Sequence, residues 1–248
     1  MRFKLITFDF SNTLLRIRGP VGGYYAAVAN KYYGATKMTF NADDTDMEFS
    51  KAYKEVTRRL PNYGYEKGIS TEDWWYEVVQ RVFYNLGLRD KKVIRSISNQ
   101  LYTNYSMKGQ HELFPEVLSV LKELKSKTDL KLGIISNFDE RLYILLDQMD
   151  MGKYFDLVLC SKVFGKAKPN TEMFSAALVL AENLKPCEAL HIGDSIQLDY
   201  LPSRQVGFNS LLIRRDMNNE EIMENRNKIH TIDSLERILP QNLDKLCL

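Results

Sequence analysis

The chain has 248 residues, 44% of them hydrophobic and 27% charged, which is globular composition and excludes a fibrous or disordered protein. Lys and Arg number 34 against 32 Asp and Glu, a formal net charge of +2, so no electrostatic footprint for nucleic acid or an anionic membrane is present. Three scattered cysteines, Cys160, Cys187 and Cys247, make neither a disulfide framework nor a zinc site, and isolated thiols suit a reducing compartment.

The opening residues carry no signal-peptide pattern, and no run of about 18 apolar residues follows. A soluble, cytoplasmic protein without a membrane partner is therefore expected. Leu5–Phe10 is a short apolar run broken by Asp9, the habit of a strand buried on both faces in a parallel sheet. Residues 18–112 read differently. Tyr24–Tyr33, Met47–Leu60, Thr71–Leu86 and Lys91–Tyr105 show helical spacing, Ser70 and Asp73 resemble a capping box, and Pro61–Gly68 supplies a turn. From residue 113 onward buried-strand runs return at Leu132–Ile135, Phe155–Cys160, Ala189–Ile192 and Ser210–Ile213. They alternate with helical patterns at Val117–Lys125, Arg141–Met149, Thr171–Asn183 and Asp199–Gln205, and a last amphipathic helix is expected near Ile232–Leu239. Strand alternating with helix predicts a doubly wound, Rossmann-like α/β parallel sheet. An all-helical cap, residues 18–112, interrupts a core made of residues 1–17 and 113–248.

Ligands of open α/β sheets bind beyond the carboxyl ends of the strands. Asp9 ends the first strand, Ser136 and Asn137 follow Leu132–Ile135, Lys168 follows a third strand, and Asp194 with Asp199 follows a fourth. Asp9 alone reads more readily as a turn cap; the set together reads as a site. A carboxylate can attack phosphorus, and Mg²⁺ takes hard oxygen ligands such as paired carboxylates and phosphate. Asp9, Asp194 and the Ser11 carbonyl fit the cation, while Lys168 and Ser136 fit the phosphoryl oxygens. Asp199 reads equally well as a group near the metal or as a helix cap. His191 reads as a packed strand residue, His111 and His230 as surface residues, and the tyrosines with Trp74 and Trp75 as core of the helical segment.

These positions resemble the four motifs of the haloacid dehalogenase superfamily, in order: Asp9 through Thr13, Ser136, Lys168-Pro169, and Gly193-Asp194 with Asp199. The resemblance spans the whole chain and implies subfamily I, with the helical insert as cap. Pro61-Asn62-Tyr63-Gly64, Trp74-Trp75 and Ile135-Ser136-Asn137-Phe138-Asp139 resemble the subgroup named for the rhythmically expressed gene 2 protein and haloacid dehalogenase-like hydrolase domain-containing protein three. It implies an Asp9 nucleophile, Lys168 in catalysis, phosphate held by Ser136, Asn137 and Lys168, and Mg²⁺ held by Asp9, Ser11, Asp194 and Asp199.

One position departs. Phosphatases of the superfamily carry a second Asp where this chain has Ser11, and a serine hydroxyl is too weak an acid or base near neutral pH to replace it. Two functions are therefore expected to compete. The first is a Mg²⁺-dependent phosphatase-type hydrolase of a small phosphorylated molecule, with reduced activity. The second is a catalytically weak protein that binds a phosphorylated ligand or a protein partner. Dehalogenation ranks below both, because Asp194 and Asp199 look ready for a cation.

Overall fold

The computed structural model describes residues 3–33, 39–215, 229–243 and 246. Cys247 and residues 216–228 of the polar tail lie outside them. The chain divides into two compact units, one of Met1–Arg16, Leu113–Phe138 and Met149–Leu248, the other of Ile17–Glu112 and Asp139–Gln148.

The first unit is built on a six-stranded sheet in the order β5-β4-β1-β6-β7-β8. Its strands are β1 (Leu5–Phe8), β4 (Lys131–Ser136), β5 (Leu157–Cys160), β6 (Ala189–Gly193), β7 (Asn209–Ile213) and β8 (Thr231–Ile232), every neighbouring pair parallel. All four residues of β1 and all five of β6 and of β7 are buried. Helices cover both faces of a doubly wound sheet, so these strands are buried throughout rather than alternating, with Thr7, His191, Asn209 and Ser210 the polar residues among them. The helices Val117–Lys127 and Glu172–Leu180 lay apolar stripes on the sheet, Val117, Val120, Leu121 and Leu124 from one and Met173, Phe174, Ala177 and Leu178 from the other.

Two readings of this unit need correction. Residues Ile196–Tyr200 form a π-helical turn leading into the helix Leu201–Val206, where a helix over Asp199–Gln205 was expected. The closing amphipathic helix is instead the short edge strand β8, a 3₁₀ turn at Leu235–Ile238 and one helical turn at Pro240–Leu243. Its apolar residues Ile232, Leu235 and Ile238 are buried as a helix would bury them, but Asp233-Ser234 breaks the run, and Ser234 caps the 3₁₀ turn by accepting from the Glu236 amide at 3.2 Å.

The second unit is helical: Val21–Tyr33, Ala42–Arg59, Thr71–Asn85, Lys91–Tyr105 and Arg141–Gln148. Three starts are capped by side chains that accept from backbone amides: Asn41 from Asp44 at 2.8 Å, Ser70 from Asp73 at 3.1 Å, and Asp90 from Lys92 at 2.9 Å. Its core gathers Tyr25, Phe40, Val56, Trp74, Phe83 and Leu101. Gly22 is required by close approach, since a Cβ there would stand 2.2 Å from the Asp46 amide nitrogen. His111, expected at the surface, is buried, and its ring nitrogen Nδ1 lies 3.2 Å from the Met107 carbonyl. Burial pushes that imidazole below its usual pKa.

β2 (Leu15–Ile17) and β3 (His111–Leu113) pair in a small second sheet. They bring the outgoing and returning chain segments side by side, with Arg18 N–H donating to the Gln110 carbonyl at 2.9 Å and Phe114 N–H to the Leu14 carbonyl at 3.2 Å.

Candidate active site

Parallel strands deliver their carboxyl ends to one edge of the sheet, and the residues that follow them meet there. Asp9 extends the ladder beyond β1, its N–H donating to the Ile192 carbonyl at 2.8 Å. Ser136 is the last residue of β4 and is buried. Asp194 follows Gly193 at the end of β6, and Asp199 lies in the π-helical turn beyond it.

Lys168 is the hub. Its Nζ donates to Asp9 Oδ1 at 2.7 Å and to Asp199 Oδ1 at 2.5 Å. Its backbone is clamped by Asn137, whose Oδ1 accepts from Lys168 N–H at 2.7 Å and whose Nδ2 donates to the Lys168 carbonyl at 2.8 Å. Both amide atoms of Asn137 therefore serve the lysine loop.

Carboxylate oxygens of Asp9, Asp194 and Asp199 lie within 4.8 Å of one another. Asp199 accepts Ser195 N–H at 3.0 Å on Oδ2, and His191 Nε2 stands 3.2 Å from Oδ1. Ser195, not Asp199, caps the turn, accepting Leu198 N–H at 3.2 Å. Asp199 approaches so closely that a Cβ on Gly193 would fall 2.2 Å from its Cγ. Only glycine fits there.

The titration of these groups follows from burial and from one shared cation. Burial pushes the Asp9 carboxyl above its usual range; the Lys168 ammonium opposes that and the Asp199 charge adds to it. Burial also works on Asp199, but Lys168 and His191 overcome it and hold its carboxyl well below the usual range. Lys168 is pulled down by burial, yet the two carboxylates hold its pKa above the ordinary lysine value. Burial first, then the charges of Asp9 and Asp199, push Asp194 up to about 6. Burial holds His191 below its usual value, against the raising effect of the Asp199 carboxylate.

Sequence reasoning missed several supporting residues. Asn12 sits in the left-handed region at φ 56 and hydrogen-bonds the Asp194 side chain. Two adjacent arginines beyond β7 hold the acidic loops by their backbones: Arg214 Nη1 donates to the Asp194 carbonyl at 2.6 Å, and Arg215 Nη2 to the Thr13 carbonyl at 2.5 Å. Arg215 also pairs with Glu116, which accepts Leu235 N–H at 3.3 Å. Burial opposes ionisation of Glu116, but the Arg215 guanidinium holds its carboxyl below the usual range. Glu116 and Arg215 are visible in the sequence as charged residues; their meeting across 99 residues of chain is not.

Comparison with known proteins places the chain in a family. The haloacid dehalogenase-like hydrolase family profile matches residues 3–207. The chain is 36% identical to haloacid dehalogenase-like hydrolase domain-containing protein 3 of Xenopus laevis, over 97% of this chain and 96% of that protein. It is 33% identical to the rhythmically expressed gene 2 protein of Drosophila melanogaster, over 86% of this chain and 83% of that one. Among solved structures, a 2-haloacid dehalogenase from Pseudomonas syringae superposes with a TM-score of 0.68 at 19% identity, covering 98% of this chain and 99% of that one. At that identity the likeness is one of fold.

Proposed function

The chain belongs to the haloacid dehalogenase-like hydrolase family, and from that premise we propose that it is a Mg²⁺-dependent, phosphatase-type hydrolase of a small phosphorylated molecule, with Asp9 as nucleophile. The observation that carries this reading is a charge imbalance. Three carboxylates gather at the strand ends and one ammonium stands among them. Two negative charges remain over, which matches a divalent cation, and the donors are all hard oxygens. Burial first, and then the neighbouring charges of Asp9 and Asp199, raise the Asp194 carboxyl. Asp9, Asp194 and the Ser11 carbonyl would hold Mg²⁺, with Asp199 behind them on Lys168. When bound, Mg²⁺ supplies charge neutralisation to the phosphoryl oxygens.

The chain's own groups then divide the work. An Asp9 oxygen forms a bond to phosphorus as the bond to the leaving oxygen breaks, and water later releases phosphate from the aspartyl-phosphate. The Ser136 hydroxyl and the Lys168 ammonium meet the phosphoryl oxygens, and Asn137 holds the lysine loop. Ser11 brings no carboxyl to protonate the leaving oxygen or to take the proton of water. We read residues 18–112 as the inserted cap that selects the substrate and residues 1–17 with 113–248 as the core.

Ser11 also favours a second reading, a catalytically weak protein that binds a phosphorylated ligand or partner. A turnover assay on an aryl and an alkyl phosphate, with Mg²⁺ or with chelator and with Asp9→Asn as blank, decides between them. Mg²⁺-dependent hydrolysis, faster on the aryl ester and absent in the blank, is expected. No turnover in the wild type, with phosphorylated ligand still bound, would establish the second reading.

A further inference from the structure

The chain of buried polar groups does not stop at Asp199. Thr7 and His191 are register partners on adjacent strands β1 and β6, and neither has any exposed surface. Thr7 Oγ1 lies 2.9 Å from His191 Nδ1, and His191 Nε2 lies 3.2 Å from Asp199 Oδ1, the oxygen that also receives Lys168. Phe174 sets its ring edge-on to the imidazole at 5.0 Å and 86°.

One proton arrangement uses every member. An ionised Asp199 only accepts, so Nε2 carries the ring proton and donates to it. Nδ1 is then an acceptor, and the Thr7 hydroxyl donates to it. The other acceptor near that hydroxyl, the Leu190 carbonyl, is at the limit of bonding at 3.5 Å. Packing and hydrogen bonding thus fix the imidazole, and the imidazole fixes the carboxylate. This matters because a lysine ammonium is a rotatable point charge on a flexible stem, and its usefulness to Asp9 depends on where Asp199 draws it.

We propose that Thr7 and His191 are positioning residues, which, through Asp199, hold the Lys168 ammonium against the Asp9 carboxylate. The proposal deepens the phosphatase reading and rests on it for the kinetic consequence, but not for the structural one. Asp199 is committed to Lys168, His191 and the Ser195 amide, so the relay serves the lysine.

The test uses the full chain and replacements that imitate one ring nitrogen each. His191→Gln places an amide N–H near the position of Nε2, whereas His191→Asn reaches only as far as Nδ1. The first readout is the hydrogen-bonded ammonium resonance of Lys168 in a ¹⁵N-lysine-labelled sample, assigned by its loss in Lys168→Arg. It should persist in wild type and His191→Gln and vanish or shift in His191→Asn. The second readout is steady-state kinetics. His191→Asn should lower kcat by about 10–100-fold with little change in KM, as displacing a positioned group does, and His191→Gln should recover most of that loss. Thr7→Val, nearly isosteric, tests the outer link and should weaken the same signal with a smaller loss of kcat, which keeps the question open to experiment if His191→Asn does not fold. Equal behaviour of the Asn and Gln variants, or an ammonium resonance indifferent to both and to Thr7→Val, overturns the proposal. A wild type that shows the expected pattern of resonances without phosphatase turnover would overturn the phosphatase reading and leave the relay standing.

Discussion

Each unit of the protein buries an ion pair, and the two pairs are built for different ends. In the helical unit Arg141 faces Asp139 through two bonds, Nε to Oδ1 at 2.8 Å and Nη2 to Oδ2 at 2.6 Å. Trp75 Nε1 donates to the same Oδ2 at 3.0 Å, and the guanidinium lies 5.1 Å from the Trp75 ring and 4.5 Å from that of Tyr102. One cation meets one anion, and aromatic rings close around them. In the α/β unit Lys168 is shared by two carboxylates while Asp194 stands nearby. The first pair is complete; the second lacks positive charge. A structural ion pair closes its own account, whereas a binding site leaves charge for its ligand to neutralise.

The largest test of that contrast is removal of the nucleophile. Asp9→Asn should abolish turnover, a loss of about 10³–10⁶-fold, while leaving the sheet folded, because it also relieves repulsion among the acids. Retained phosphate-ester hydrolysis in this variant would place the nucleophile elsewhere.

Ser11→Asp works in the opposite direction. A positioned acid–base group typically contributes about 10²–10⁴-fold, so turnover of an alkyl phosphate should rise by up to that amount, with a smaller gain on an aryl ester whose leaving oxygen needs no proton. Ser11 is half-buried and bridged to Leu15, and the new acid adds negative charge to a site already short of cations. The gain should therefore come with tighter Mg²⁺ binding than in the wild type. Fast alkyl-phosphate turnover in wild type, unimproved by the substitution, would mean that another group serves as acid.

Breaking the closed pair should cost stability instead. Arg141→Leu leaves Asp139, 1% exposed, without its partner, and losing one member of a buried pair costs about 3–5 kcal/mol. Urea denaturation should show that loss with or without Mg²⁺. Lys168→Met, in contrast, should lose stability that Mg²⁺ restores, because its acids can take the cation instead. Equal responses of the two variants to Mg²⁺ would erase the distinction between the pairs.

Much of the candidate site is legible in the sequence because most of its residues lie at the ends of apolar runs. Asp9, Ser136 and Asp194 sit at the ends of such runs, and Lys168 returns to the same edge after the turn Ser161–Phe164 that follows β5, so a parallel sheet gathers them. Asp199 reads two ways because spacing cannot show that Gly193 admits its carboxylate or that Ser195 takes the cap. His191 reads as strand packing, which its burial supports, but its contact with Thr7 depends on register across 184 residues of chain. The aromatic residues divided in the same way. Trp74 is core, its Nε1 donating to the Leu60 carbonyl at 2.8 Å, as helical spacing led one to expect. Trp75, one position along, turns to Asp139, and no local pattern could show that residues 139–148 count among the helical unit.

The smallest expected effect concerns protons and the metal. Asp194 holds its proton up to about pH 6, chiefly through burial and then through the charges of Asp9 and Asp199. Only the ionised carboxylate ligates, so protons and Mg²⁺ compete below that value. Apparent Mg²⁺ affinity should be level above about pH 7 and about ten-fold weaker near pH 5. The same shift sets the sign for stability. The folded carboxyl titrates near 6 and the unfolded one near 3.8, so the folded state binds more protons between those values. The Asp194 contribution to stability is then fully present below pH 3.8 and is lost as pH rises through 6 in the absence of metal. Mg²⁺ should cancel that loss by replacing the proton with a cation. Asp194→Asn removes the titrating group and should both weaken Mg²⁺ binding and flatten its dependence on pH. Calorimetric titration of wild type and variant across this range, with thermal melts in parallel, reads both effects; the same affinity and the same slope in the two proteins would remove Asp194 from the metal site.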